Sequence, residues 1–182
     1  MGNIYFTSDT HFGHDRNFIW APRGFKSVSE MNQTIIKNWN DIVKPEDDVY
    51  HLGDVMLGNN DENISYVKQL KGNIHIIRGN HDTDSRIAFY KKCWNVVEIT
   101  EGQFFKYDGY HFYLSHYPCI VDNYDSNKPL KTRMISLCGH RHTQNPFEDF
   151  NKGLIYHVEM DAHGCYLISI DEIIQDIKEV YI

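Results

Sequence analysis

Short apolar runs that end on polar, chemistry-bearing residues recur along the first half of the chain. Residues 2 to 7 read as a buried strand that delivers the polar segment from Asp9 to Asn17, and Asp48-Val49-Tyr50-His51-Leu52 reads as a second strand closing on Gly53-Asp54. A third, Ile74 to Arg78, runs into Gly79-Asn80-His81-Asp82. Helical patterns separate them. Ser27 or Ser29 caps a helix in which Met31, Ile35, Ile36, Trp39 and Ile42 or Val43 recur near helical spacing before Lys44-Pro45. Asn59-Asn60-Asp61 opens another through Tyr66, Val67 and Leu70. Strand, helix, strand in succession is the parallel crossover pattern, and ligands of open α/β sheets collect beyond the carboxyl ends of the strands.

After a helix near Ser85 to Lys92 the pattern shifts to short extended runs. Val96 to Thr100, Gln103 to Tyr107 and Tyr110 to Leu114 alternate, with Asp108-Gly109 as a hairpin turn, so this half reads as antiparallel. Further strands are expected over Met134 to Cys138, Leu154 to Glu159 and Tyr166 to Ser169, with a closing helix from about Asp171. Two sheets, each backed by helices, make a layered sandwich. With no internal repeat, low-complexity tract or linker, residues 1–182 are read as one domain. Residues 119 to 133, polar and turn-rich around Asp122 to Pro129, are the candidate substrate loop.

Composition narrows the partners. Lys plus Arg number 18 against 25 for Asp plus Glu, a formal charge of −7, so long nucleic acid is disfavoured as a partner, though metal bound at a carboxylate site would change the local field. Cys93, Cys119, Cys138 and Cys165 include no C-x-x-C pair and read as buried, reduced thiols. The N-terminus lacks the basic and apolar regions of a signal peptide, no run approaches membrane-spanning length, and Phe6 stands where N-myristoylation wants Ser or Thr. A soluble, cytoplasmic protein is expected. Its oligomeric state is not written in the sequence.

Five strand ends carry one design: Ser8-Asp9-Thr10-His11, Leu52-Gly53-Asp54, Gly79-Asn80-His81, Ser115-His116 and Gly139-His140-Arg141-His142. Taken singly, each has an ordinary reading, Asp9 or Asp54 as a cap, Gly79 or Gly139 as a turn glycine, His116 as a hydrogen-bonded structural histidine. Together they suit hydrolysis of a phosphate ester. That reaction needs a nucleophile made from water, charge stabilisation on the phosphoryl oxygens and a proton for the leaving group, and paired metals supply the first two. Histidines and carboxylates suit borderline transition ions, whereas a structural zinc site more often clusters thiolates.

The blocks Asp9-x-His11, Gly53-Asp54, Gly79-Asn80-His81-Asp82, His116 and Gly139-His140-x-His142 resemble the ordered motif set of the calcineurin-like metallophosphoesterases. The wording Ser8-Asp9-Thr10-His11-Phe12-Gly13-His14 resembles a compact bacterial and phage branch of that superfamily. The resemblance implies a four-layer αββα sandwich with two mixed β-sheets. It implies that Asp9, His11 and His142 hold one divalent metal, that Asn80, His116 and His140 hold another, and that Asp54 bridges them. A hydroxide between the metals attacks phosphorus in this reading. His81 is then no ligand but a catalytic group that steadies the phosphoryl oxygens and protonates the departing alkoxide. Manganese is the first expectation for the metal pair, with iron, nickel or zinc as alternatives.

Other residues are weaker candidates. His14 and Arg16 touch substrate or brace ligands, Asp82 orients His81 or caps a helix, and Arg141, Lys128, Lys131 and Arg133 approach phosphate unless they are plain surface charges. His51, His75, His111, His157 and His163 are read as structural or surface histidines. The sequence thus points to a metal-dependent phosphoric ester hydrolase acting on a small phosphomonoester or phosphodiester, a nucleotide-like one included. The alternatives are a non-catalytic metal-binding scaffold of the same fold and, second, a nuclease.

Overall fold

The computed structural model describes residues 2–121, 128–148 and 154–181. The first sheet has the order β10-β1-β2-β3-β4, with β1 (Ile4–Thr7), β2 (Asp48–His51), β3 (Asn73–Ile77) and β4 (Val96–Thr100) parallel and β10 (Ile168–Ser169) antiparallel on the edge beside β1. The helices α2 (Val28–Ile42), α3 (Asn60–Val67) and α4 (Asp84–Tyr90) make the crossovers. α2 starts where the sequence says it should. Ser27 Oγ accepts the Glu30 N–H at 3.1 Å while Glu30 Oε2 accepts the Lys26 N–H at 2.8 Å, so polar side chains take up two orphan donors of the first turn. Its buried stripe of Met31, Ile35, Ile36 and Trp39 joins Val49, Ile74 and Ile76 of the sheet in one core cluster. Each such fully buried aliphatic side chain stabilises the fold by about 1.5–3 kcal/mol.

The second sheet has the order β5-β6-β7-β9-β8, from β5 (Gln103–Tyr107), β6 (Tyr110–Leu114), β7 (Met134–Cys138), β8 (Phe147–Glu148) and β9 (Leu154–His157). It is mixed. The β5–β6 hairpin is antiparallel as the alternating runs suggest, and so is the β8–β9 pair, but β6, β7 and β9 are parallel neighbours. An all-antiparallel second half is therefore corrected: the long connections after β6 and β7 are crossovers, and strand patterns alone do not report their direction.

A second core cluster fills the space between the sheets, with Phe6, Tyr50 and Leu52 from one side and Phe112, Leu114, Ile135, Leu137, Leu154 and Tyr156 from the other. The closing helix α5 (Ile170–Tyr181) buries Ile173, Ile174 and Ile177 in this same cluster. The short α1 (Asn17–Trp20) and β8 escape the sequence pattern because each spans about one period of it, too little for a repeat to show.

What matters for function is where the strands stop. β1, β2 and β3 deliver Ser8–His11, Gly53–Asp54 and Gly79–His81, while β6 and β7 deliver Ser115–His116 and Gly139–His142. The two sheets are joined at this end. Ser8 bridges Glu159, the Met160 N–H donates to Ser8 O at 3.2 Å, and the His140 N–H donates to Asp9 Oδ2 at 2.9 Å.

Candidate metal centre

The strand ends do not simply stop; they turn through unusual backbone. Asp9, His11, Asp54, His140 and His142 all have positive φ, between 50° and 75°, a region that non-glycine residues rarely occupy. Strain of this kind costs about 1–3 kcal/mol per residue and persists where surrounding structure enforces it. Here it turns five polar side chains into one volume. Gly79 and Gly139 make the crowding possible: a Cβ on Gly79 would collide with Asp54 Oδ1, and one on Gly139 with Ser8 Oγ and Asp9 Oδ2. They are close-approach glycines, not merely turn glycines.

At the centre lies Asp54. Its Oδ1 accepts the His81 N–H at 2.8 Å, which leaves Oδ2 facing His11 Nε2 at 3.7 Å, His116 Nε2 at 3.6 Å and His81 Nε2 at 3.9 Å. On one flank, Asp9 Oδ1 is 3.5 Å from His11 Nε2 and 3.7 Å from His142 Nε2. On the other, His116 Nε2 is 2.9 Å from Asn80 Oδ1 and 3.2 Å from His140 Nδ1. Asp9, His11 and His142 form one group with ligand atoms within 4.8 Å of one another, and Asp9, Asp54 and His116 form a second. All seven residues named as ligands from the sequence therefore meet at one place.

The hydrogen bonds fix which ring nitrogens point inward. His116 Nδ1 lies 2.8 Å from Leu52 O, an acceptor only, so Nδ1 carries the proton and Nε2 offers a lone pair toward Asn80 Oδ1 and Asp54 Oδ2. His142 Nδ1 donates to Asp161 Oδ2 at 2.9 Å and likewise leaves Nε2 inward. Asp9 Oδ1 and His11 Nε2 are buried with no hydrogen-bond partner. Orphaned acceptors converging without a donor are costly unless a cation lies among them, and this donor set of carboxylate, imidazole and amide oxygen fits divalent transition ions.

Electrostatics agrees. Burial acts to raise the Asp9 carboxyl, but the close approach of His11 and the imidazoles of His116 and His142 hold it below the ordinary carboxylate range. Burial, reinforced by Asp9 and Asp82, pushes Asp54 up to about 6. Burial lowers His11 to about 4, so its ring is neutral near pH 7. A cation between these groups relieves both the clustered carboxylates and the neutral imidazoles.

The supports were only partly foreseen. Asp82 neither orients His81 nor caps α4, whose N-cap is Thr83. It is fully buried and accepts from the Asp54 N–H at 2.7 Å, the Gly79 N–H at 2.9 Å, the Val55 N–H at 3.2 Å and the Tyr90 hydroxyl at 2.8 Å. Asp161 and Arg23 went unnoticed. Arg23 donates to Asp161 at 2.6 and 3.0 Å and to Asp9 O at 2.8 Å, which ties the His142 bracket to the Asp9 backbone. The sequence signal for Asp161 is its place in the turn that follows β9. Glu159, fully buried, accepts the Thr143 N–H at 2.7 Å and steadies the loop carrying both β7 histidines.

His14 Nδ1 lies 3.3 Å from His11 Nδ1, so it braces that ligand from outside. Arg16 and Arg141 are exposed beside the ligand-bearing loops. Lys131 and Arg133 are not brought to the centre. Lys131 Nζ donates to Asp108 O at 2.7 Å at the β5–β6 turn, and Arg133 is buried just before β7, both at the end of the second sheet opposite His116 and His140. Their distance follows from strand direction: a residue before a strand lies at its far end. The Asp122–Asn127 part of the candidate substrate loop lies outside the described residues.

A model of the calcineurin-like phosphoesterase superfamily domain matches residues 3–167. The chain is similar to the protein MJ1445 of Methanocaldococcus jannaschii, 34% identical over 185 residues, covering 98% of this chain and 93% of that one. It is 27% identical over 203 residues to the Gene 66 protein of Mycobacterium phage L5, covering 100% and 97%. Among solved structures, the protein AQ665 of Aquifex aeolicus, described as of unknown function, superposes with a TM-score of 0.68 at 26% identity, covering 96% of this chain and 99% of that one.

Proposed function

The chain belongs to the calcineurin-like phosphoesterase superfamily, and on that premise we propose that it is a dinuclear metal-dependent hydrolase of small phosphate esters. One observation carries the reading: Asp54 Oδ2 lies between two inward ring nitrogens, His11 Nε2 at 3.7 Å and His116 Nε2 at 3.6 Å, with further ligand atoms on each side. Asp9, His11 and His142 would hold one ion and Asn80, His116 and His140 the other, with Asp54 shared. Bound divalent ions would supply positive charge for phosphoryl oxygens and acidify a water, and manganese, iron, nickel and zinc all fit these donors.

The chain's own groups do the rest. Hydrolysis adds water across a P–O bond, with oxygen to phosphorus and a proton to the leaving oxygen. In this reading His81 supplies that proton. Its side chain is 44% exposed, its Nε2 lies 3.9 Å from Asp54 Oδ2, and its backbone is pinned by the Asp54 Oδ1 bond, so the ring stands at the open side of the ligand cluster. Asp82 holds the Asp54 and Gly79 backbones at a fixed separation, which keeps the shared carboxylate and the proton donor in register.

The test is hydrolysis of bis-p-nitrophenyl phosphate with manganese, iron, nickel or zinc, run beside Asp54→Asn and His81→Ala proteins. Turnover by wild type and its loss in Asp54→Asn are expected. An inert wild type with every metal would leave the scaffold reading in its place.

A further inference from the structure

Two large aromatic side chains are exposed where the ligand cluster meets solvent, one on each flank. Phe18 is 65% exposed on α1, and its ring packs edge-on against His14 at a centroid distance of 5.7 Å; His14 in turn braces His11. Tyr117 is 51% exposed, and its ring lies 4.7 Å from His140 and 5.1 Å from His116, also edge-on. Asp54 Oδ2 stands between His11 and His116, so the order across the mouth is Phe18, His14, His11, Asp54, His116 and His140, Tyr117. Neither ring is there to fill a core.

Both rings are held in place. Phe18 precedes the buried Ile19, which anchors its short helix. Tyr117 precedes Pro118, which restricts its backbone to extended conformations, and its carbonyl accepts the Ser115 hydroxyl at 2.8 Å. An aromatic ring fixed at its base and open to solvent loses little entropy when a flat group stacks on it. The charge balance points the same way. A chain of formal charge −7 has no broad attraction for phosphate-rich polymers, so selectivity for one ester over another has to come from its organic groups.

We propose that Phe18 and Tyr117 are specificity residues that stack the two organic groups of a phosphodiester, and that the preferred substrate class is a small nucleoside phosphodiester. The polarity of binding follows from His81. Its ring is 5.7 Å from that of His11 and 6.3 Å from that of His14, so the leaving oxygen that it serves departs on the Phe18 side. Tyr117 then receives the nucleoside retained on phosphorus. A base stacked on an aromatic side chain typically gains enough to change affinity roughly 5- to 100-fold on its removal.

This inference rests on the phosphoesterase reading but fails separately from it. The experiment compares thymidine 5′-(p-nitrophenyl phosphate) with methyl p-nitrophenyl phosphate, two diesters with one leaving group and different retained groups. Wild type with manganese should favour the thymidine ester in kcat/KM, through KM. In Tyr117→Ala the ratio of the two kcat/KM values should fall about tenfold, while Phe18→Ala should lower both and leave the ratio unchanged. The ratio cancels any change in shared chemistry. Binding of adenosine 5′-monophosphate and of methyl phosphate, by calorimetry on the manganese-loaded protein, gives a readout without turnover. Adenosine 5′-monophosphate should bind tighter by a margin that Tyr117→Ala removes. Hydrolysis of both esters with equal kcat/KM, or equal binding of the two monophosphates, would overturn the stacking sites and leave the phosphoesterase reading intact. Tyr117-dependent binding without any turnover would do the reverse.

Discussion

The two halves of the centre are held by different means. On the first sheet, Asp9 and Asp54 are fixed by main-chain bonds between neighbouring parallel strand ends, and one buried carboxylate, Asp82, gathers three backbone N–H groups and a tyrosine hydroxyl to lock two of those ends together. On the second sheet, His140 and His142 sit in a loop held by side chains reached from elsewhere, Glu159 on the Thr143 N–H and Asp161 with Arg23 behind His142. The first arrangement is part of the fold; the second is a bracket fitted to it. A change in the first half should therefore cost stability, and a change in the second should cost ligand placement while the protein stays folded.

The largest expected effect lies at His81, the proton donor proposed for the first half. His81→Ala should lower turnover by about 10²–10⁴-fold, most for esters with poor leaving groups, with metal content unchanged by elemental analysis. Loss of the metals in that variant would make His81 a ligand and erase the distinction. Next is the lock itself. Asp82→Ala leaves three buried N–H groups without their acceptor, and chemical denaturation should show a loss of about 3 kcal/mol or more. A loss under about 1 kcal/mol would mean that the strand ends hold without it.

Asp161→Asn should act differently. It keeps an oxygen for the buried Arg23 guanidinium but weakens the hold on His142 Nδ1, so manganese affinity by calorimetry should fall about 10- to 100-fold with a smaller loss of stability than Asp82→Ala shows. A loss of stability as large as that of Asp82→Ala would show that the bracket too belongs to the fold. The smallest effect is pH dependence in the first half. His51 donates to Thr10 Oγ1 beneath the His11 turn, and burial lowers it to about 3 from 6.5. Between those values the unfolded chain binds a proton that the folded one refuses, so its stabilising contribution is complete above about pH 6.5 and is lost as pH falls toward 3, by about 1.4 kcal/mol per pH unit. His51→Gln in metal-free protein should flatten that slope in denaturation series at pH 7, 6 and 5. An unchanged slope would assign the acid sensitivity to other groups.

Most of the first half was legible in the sequence because it is local. A strand ending in Gly53-Asp54 or Gly79-Asn80-His81 announces its chemistry within a few residues, and β4 has the bounds that alternation gave it, as do β5, β6 and β7 of the second sheet. The second half was less so. Nothing local reveals that β6, β7 and β9 run parallel, since direction is decided by crossovers. Asp161 gains its meaning only from contacts with His142 and with Arg23, 138 positions away, and Asp82 was visible as an acid beside His81 while its real partners were backbone groups. Lys131 and Arg133 looked close to His140 in sequence, yet a strand's length carries them to the opposite end of the sheet.

The central claim, that one aspartate is shared by ions on both sheets, is tested most directly by counting manganese bound per chain in wild type and Asp54→Asn, by calorimetry with elemental analysis. Two ions in wild type and at most one, weakly held, in the variant are the predicted result. One ion in wild type, or two undiminished ions in Asp54→Asn, would contradict it.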